Sequence, residues 1–465
     1  MKNNLIFDFR TMNPTTDSAE QEQEALIGIL IKTVEHFFGG FQKIFGGASD
    51  PRDQRKINYP LASLCFAGVL MFLLRLGARR QVTYQLRKNE PSREKFEILF
   101  GVDSFPHGDT LNDLYLRLSP QEAQEAVTGM AETLIRKKVL SRWRLRGIYY
   151  VVAVDGTGTI SFDKRHCPYC LTRTHGTKTI YYHEVLEAKL VTPNGFAFSL
   201  MTEFIENPGE NPGKQDCELK AFYRLAQRLK ERFPRLPLCI SLDSLFAGGP
   251  TFDLCNRYGW KFLIVHKDNL PSVEQQFEAL QRFHPECHLE YRTGKEARIH
   301  QQYRWVNNIP YIDTENREHS LCVLRCLETK PDKTGQIRTT RFQWVTNFKI
   351  SQASAIEIAN DGGRSRWIIE NEGFNVQKNG GFELEHVYSN NDVACKIFYL
   401  LLQIACTLFQ LIQRGSLFRR AFPTGVGSAK NIAFRLLEAW RNLRLARDFL
   451  DRVRAQPFQI RFDTS

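Results

Sequence analysis

No leader of charged, apolar and small residues opens this 465-residue sequence, so no secretory route is indicated. Long hydrophobic runs are missing too. "LASLCFAGVLMFLL", Leu61 to Leu74, stops at Arg75, and "IFYLLLQIACTLFQLI", Ile397 to Ile412, carries two glutamines. Both fall short of the ~20 apolar residues a membrane span needs, and both are expected as buried core helices, with no membrane partner. There is no internal repeat. No second Cys-x2-Cys pair accompanies Cys167 and Cys170, and the cysteines number eleven, an odd count. A disulfide framework is therefore set aside in favour of free thiols in a reduced, cytoplasmic setting. Acids are the scarcer charge: 51 Asp+Glu stand against 63 Lys+Arg, a formal net charge of +12.

What is present is enough for a large core, with 42% apolar and 12% aromatic residues. The positive excess favours an anionic partner, of which nucleic acid is the commonest. It is concentrated in the last 52 residues, Arg414 to Ser465, which hold eleven Lys/Arg and four Asp/Glu. Six regions are expected. Residues 1–55 begin polar and are partly disordered. Residues 56–146 form a helical, basic module suited to DNA docking, with Arg79 and Arg80 as candidate phosphate contacts. Residues 147–270 read as the first part of an α/β core. Residues 271–340 read as a β-rich insertion, 341–412 as the rest of the core, and 413–465 as a basic helical segment. In that last segment Leu436, Leu437, Trp440 and Leu443 can pack while Arg441 and Arg444 face solvent or DNA phosphates.

Two acids share one local form. "IYYVVAV" is a β-branched, apolar strand that leads into Asp155, and "LPLCISL" leads into Asp243. The crevice at strand ends is the usual site of an open α/β sheet. Two carboxylates converging there repel each other unless a cation lies between them, and hard oxygen ligands suit Mg²⁺ or Mn²⁺. Gly156 and Gly158 would let a phosphate approach the backbone. A third acid completes a two-metal site, and Glu370 is the candidate. Arg366 lies one helical turn before it on the same face, and Lys378 lies eight residues after it. Glu372 is the alternative.

At these residues a family resemblance emerges. "AVDGTG", "SLDSLFAG" and "RWIIENEGFNVQKNGGFELEH" resemble the three acidic motifs of DDE transposases with an RNase H-like core, and more narrowly the insertion-sequence-four type. That type carries Tyr-x2-Arg-x3-Glu-x6-Lys on the third motif, and a β-rich insertion between the second Asp and the Glu. Arg366-x3-Glu370 fits, whereas Gly363 stands at the Tyr position and Lys378 falls one residue late. The resemblance implies an RNase H-like α/β core with that insertion and a helical N-terminal module. It implies metal-dependent strand cleavage and strand transfer of an insertion-sequence element. Asp155, Asp243 and Glu370 would hold two Mg²⁺ (or Mn²⁺) ions, and Arg366 and Lys378 would bind phosphate. The implied partners are double-stranded DNA, as terminal inverted repeats and target, and a second copy of the chain in a synaptic homodimer. The implied setting is bacterial, cytoplasmic and nucleoid-associated.

Other readings compete. A catalytically inactive, DNA-binding relic of a transposase would have the same sequence features. "DGTGT" also resembles the phosphate loop of actin-like ATPases and sugar kinases, which leaves the basic tail and the Arg366/Glu370 pair unexplained. A phosphatase Asp-x-Asp-Gly-Thr loop is excluded by Ala153, and a Rossmann loop by the lack of Gly-x-Gly-x-x-Gly before a helix. "HCPYCLTRTH" offers Cys167 and Cys170 at metal spacing, with His175 as a third candidate zinc ligand and His166 close by.

Overall fold

The computed structural model of the chain describes residues 16–209, 213–455 and 457–462. These residues form two compact units: residues 131–377, and residues up to 130 together with 378 onward.

The 131–377 unit is mixed α/β around a ten-stranded sheet. Its strands are β1 (Tyr150–Phe162), β2 (Leu171–His175), β3 (Lys178–Val191), β4 (Ala197–Ile205), β5 (Leu238–Leu242), β6 (Lys261–Val265), β7 (His288–Thr293), β8 (Ile299–Ile312), β9 (Glu318–Pro331) and β10 (Ile337–Thr346). They lie in the order β2-β3-β1-β5-β6-β10-β9-β8-β7, with β4 also pairing β3. The β1–β5 and β5–β6 pairs are parallel, and all the others are antiparallel. A hairpin forms between β3 and β4 at "VTPNGF". There Gly195 takes φ 90°, and its N–H donates to Thr192 O at 2.8 Å.

Alternation along the strands divides the sheet into two faces. Val151, Ala153, Cys239 and Leu263 point to one face and pack with Ile358, Ala359, Ile369 and Phe374 from the segment that carries Arg366 and Glu370. The other face is covered by Glu218–Arg232, whose Ala221, Phe222, Leu225 and Leu229 are buried at helical spacing. The helix Gly249–Arg257 lies there too, and Phe252 stacks on Phe262 with centroids 5.3 Å apart. Fully buried on β3, Lys189 Nζ lies 3.1 Å from Glu187, whose carboxylate also accepts from Ser199 Oγ at 2.8 Å.

Three expectations change. β1 does not end at Asp155; it continues through the glycines to Phe162, because β3 keeps pairing it. The β-rich stretch after residue 270 is no separate insert in the sheet: β10 pairs β6 directly, so β7–β10 extend the same sheet. The regions drawn at 56–146 and 341–412 are each divided between the two units. The cause of the second division is the helix Asp392–Arg414. It is apolar almost all round and packs against Leu61–Leu73.

The other unit is helical. Residues 1–15 lie outside the described residues, and from Thr16 the segment expected to be partly disordered forms the helix Thr16–Phe38. Both long apolar runs are core helices as expected. Asp392–Arg414 alone, among the described residues, is long and apolar enough to cross a membrane, and 83% of its apolar window is buried. The basic C-terminal segment also packs here. Its helix Ala429–Asn442 lies on Thr16–Phe38 and Glu90–Phe100, with Leu436 and Trp440 buried. The chain leaves the helix at Leu443 and resumes with Phe449–Ala455, so this part of the basic segment holds two helices.

The buried Glu187–Lys189 pair makes the sheet sensitive to one substitution. Lys189→Met strands a carboxylate in the core and should cost about 3–5 kcal/mol, whereas the double variant Glu187→Gln/Lys189→Met should recover most of that loss. Urea titration of the three proteins measures both. A neutral Lys189→Met would contradict the structure.

Candidate active site

The parallel ladder between β1 and β5 sets the site. Its last paired residues are Ala153 and Ser241, and two residues further along each strand stand Asp155 and Asp243. The register thus places the two acids level and on one face, on strands about 4.8 Å apart. β5 ends at Leu242, so β1 loses its neighbour on that side where the carboxylates emerge. One oxygen of each acid is tied to backbone: Asp155 Oδ1 accepts from Gly156 N at 3.0 Å, and Asp243 Oδ1 from Leu245 N at 2.9 Å.

The third acid arrives on an irregular helix. The chain turns through wide π-helical segments at Ile358–Gly363 and Ile369–Asn375, with a tight 3₁₀ turn at Arg364–Arg366 between them. Such wide turns re-aim side chains and recur at functional sites. Here they lay Arg364–Arg366 on β1 and β5, and Ile369–Asn375 on β1 and β4. Gly363 is required for this fit. A Cβ there would lie 2.4 Å from the Trp344 indole, so the tyrosine of the resembled motif has no room in this chain.

Arg366 is the hub. Its Nη1 lies 3.1 Å from Asp155 Oδ2 and its Nη2 2.7 Å from Glu370 Oε1, with only 9% of the side chain exposed. The one-turn spacing of Arg366 and Glu370 therefore produces the ion pair expected from sequence, and Arg366 extends it to the strand acid. Glu372 is exposed, and among the charges acting on Asp155 are those of Arg366, Glu370 and Asp243. Burial pushes the Asp155 carboxyl up to about 6; Arg366 opposes this, and Glu370 and Asp243 add to it. Arg366 Nε and Ser241 Oγ, the latter on the strand leading to Asp243, are among the buried polar atoms that lack a hydrogen-bond partner. A site of carboxylate oxygens with orphaned donors beside it fits a hydrated hard cation and a phosphate oxygen.

Sequence reasoning missed two acids. Glu218 opens its helix on the opposite face of β1, and a Cβ on Gly156 would lie 2.5 Å from its carboxyl carbon. Gly156 therefore makes room for Glu218 rather than for a phosphate, while the space beside Gly158 is open. Glu218 hydrogen-bonds Glu184, which sits opposite Gly158 on β3. Burial, then the charges of Glu184, Asp155 and Asp243, push its carboxyl up to about 7. A helix N-terminus favours a carboxylate by up to about 1 kcal/mol, and burial with like charges outweighs it here. The available signal was the glycine pair, since glycine within a strand marks a close approach.

The remaining candidates lie elsewhere. Lys378 belongs to the helical unit, where its ammonium pairs Glu385 at 2.8 Å. Arg79 and Arg80 line a cleft of about 560 Å³ in that unit, with Thr83, Tyr84, Arg87 and Lys88. Arg79 stands 4.0 Å from Asp109, and Arg87 is committed to Phe105 O at 2.7 Å. Arg441 is exposed, but Arg444 is held by Glu90 at 2.7 Å and by Glu94. Arg444, expected at DNA phosphates, thus pairs with two acids while its side chain stays exposed. His175 is exposed at the end of β2 and stands outside the cysteine cluster; His166 and His183 are the histidines at Cys167 and Cys170.

The Glu218 carboxyl generates a pH prediction. Its folded value, about 7, lies above the unfolded value near 4.5. Its neutral form thus contributes stability that is full below pH ~4.5 and lost as pH rises through ~7. Glu218→Gln, which mimics the neutral acid, should gain thermal stability over the wild type between these limits and keep the gain at pH 8. Melting curves at pH 5 and pH 8 in chelator test this, and an equal difference at both would refute it. Compared with known proteins, the chain matches no family model and no curated sequence, so its function must be argued from this geometry.

Proposed function

We propose that the chain is a DNA transposase that cleaves and joins strands by a metal-dependent DDE mechanism on an RNase H-like core. The observation that carries this reading is the level placement of Asp155 and Asp243 on adjacent parallel strands, with Arg366 linking Asp155 to Glu370. The strand arrangement supports it as well. Antiparallel β4, β3 and β1 are continued by β5 and β6 parallel to β1, and the third acid comes from a helical segment after the last strand. An ATPase or sugar kinase reading accounts for Asp155 and its glycines but not for Arg366 and Glu370.

Asp155, Asp243 and Glu370 would hold Mg²⁺ or Mn²⁺. When bound, a pair of such ions would activate water or a 3′-hydroxyl and neutralise charge on the leaving oxygen. The chain itself supplies position. Ties from Gly156 and Leu245 hold the aspartates at fixed rotamers, and Arg366 keeps Asp155 and Glu370 side by side. Its guanidinium, paired with both acids, sets a positive charge beside them. In the helical unit, the cleft at Arg79 and Arg80 offers cations and an exposed aromatic, Tyr84, to a nucleic-acid backbone.

Two measurements test the reading. With DNA that includes the flanks of its own reading frame and Mg²⁺, Asp155→Asn, Asp243→Asn and Glu370→Gln should each reduce strand cleavage on the order of 10²-fold or more. Duplex binding should change little, and a variant that cuts at the wild-type rate would remove that residue from the mechanism. Arg79→Ala/Arg80→Ala should weaken duplex binding and flatten the salt dependence of log K by roughly 0.9 for each phosphate no longer engaged. An unchanged slope would take the cleft out of DNA capture.

A further inference from the structure

The loop between β1 and β2 brings three side chains to a fourth on β3. Cys167 Sγ lies 3.3 Å from Cys170 Sγ and 3.4 Å from His183 Nε2. Cys170 Sγ lies 3.2 Å from His166 Nδ1 and 3.6 Å from His183 Nε2. The four ligand atoms are all within 4.8 Å of one another. The sulfurs are too far apart for a disulfide, whose S–S length is about 2.05 Å. A tetrahedral zinc ion, with Zn–S about 2.3 Å and Zn–N about 2.0 Å, requires S···S near ~3.8 Å and S···N near ~3.5 Å. The observed S···N separations lie within about 0.3 Å of that value, and the S···S separation within about 0.5 Å.

We propose that His166, Cys167, Cys170 and His183 bind one structural zinc ion. The set is two thiolates and two imidazoles at the Cys-x2-Cys spacing, a chemistry selective for zinc over the hard cations suited to the acidic site. Four protein ligands close the coordination sphere, so the ion has a structural and not a catalytic role. The shell around it is built. Cys170 is fully buried, and its carbonyl accepts from Asn207 Nδ2 at 2.8 Å. Asn207 N donates to Tyr169 O at 3.1 Å, and the Phe162 ring lies over His166 with centroids 4.0 Å apart. The site ties the loop after β1 to β3 at the residue preceding Glu184, where β1 bulges between Gly158 and Ile160. Zinc would thereby hold the outer halves of β1 and β3 together beside the Glu184–Glu218 pair.

The proposal is independent of the DNA reading, and its test uses no DNA. The full chain, reduced, loaded with Zn²⁺ and freed of excess by gel filtration, should carry about one zinc per chain by mass spectrometry. Cys170→Ser and His183→Ala should lose most of it, and His175→Ala should keep it. Loading the wild type with Co²⁺ should give the intense visible bands of a tetrahedral ion and a thiolate charge-transfer band in the near ultraviolet, a readout that stands if the variants fail to fold. A reduced wild-type chain that holds no zinc, an octahedral cobalt spectrum, or loss of zinc on His175→Ala alone would each overturn the proposal.

Discussion

Like charges crowd where β1 and β5 part company, and the guanidinium of Arg366 makes that crowding tolerable. Asp155, Asp243 and Glu370 act on one another there, and Glu184 and Glu218 lie behind the same strand. Removing such groups from water without a counter-charge costs several kcal/mol each. Arg366 therefore has to reach both Asp155 and Glu370, and much of the neighbouring geometry serves that reach. The wide helical turns carry the arginine over β1 and β5, and Gly363 lets that segment sit against Trp344. On the other side of β1 the same crowding pushes the Glu218 carboxyl up, with Glu184 as its hydrogen-bond partner.

The elements legible in the sequence are those set by local pattern. β-branched runs gave the central strands, the Pro-Asn-Gly turn gave the β3–β4 hairpin, and four-residue spacing gave the Arg366–Glu370 contact. What escaped is set by register between distant segments. Nothing near Gly156 indicates that Glu218, 62 positions later, fills the space its missing side chain leaves. The metal cluster shows the same limit. The Cys167–Cys170 spacing is visible in the sequence, but the choice of His183 over His175 depends on which residue of β3 faces the loop, and a two-strand hairpin separates the two histidines.

Basic charge is misleading for a related reason. The last 52 residues hold much of the positive excess, yet Arg435, Arg444 and Arg454 are spent on Glu22, Glu90 and Glu35 of the N-terminal helices. Their acidic partners lie hundreds of residues earlier, so a count along the chain sees the cations without the anions. The apolar stripe of Ala429–Asn442 needs a surface to cover it, and those helices supply both the surface and the charge.

The interleaving of the two units has a consequence for synthesis of the chain. Residues up to 130 need those from 378 onward, and Asp155 waits 215 residues for Glu370. At ribosomal rates of about 5–20 residues per second, the acidic cluster stays incomplete for roughly 10–40 s after its first member emerges. During that interval β1 and β5 can pair, but Asp155 lacks the guanidinium of Arg366 beside it. Until translation is nearly finished, the nascent chain thus holds an unneutralised acidic strand end and apolar helices that lack their packing partners. Such a chain leaves more apolar and charged surface unpaired during synthesis than one built from consecutive, self-contained domains.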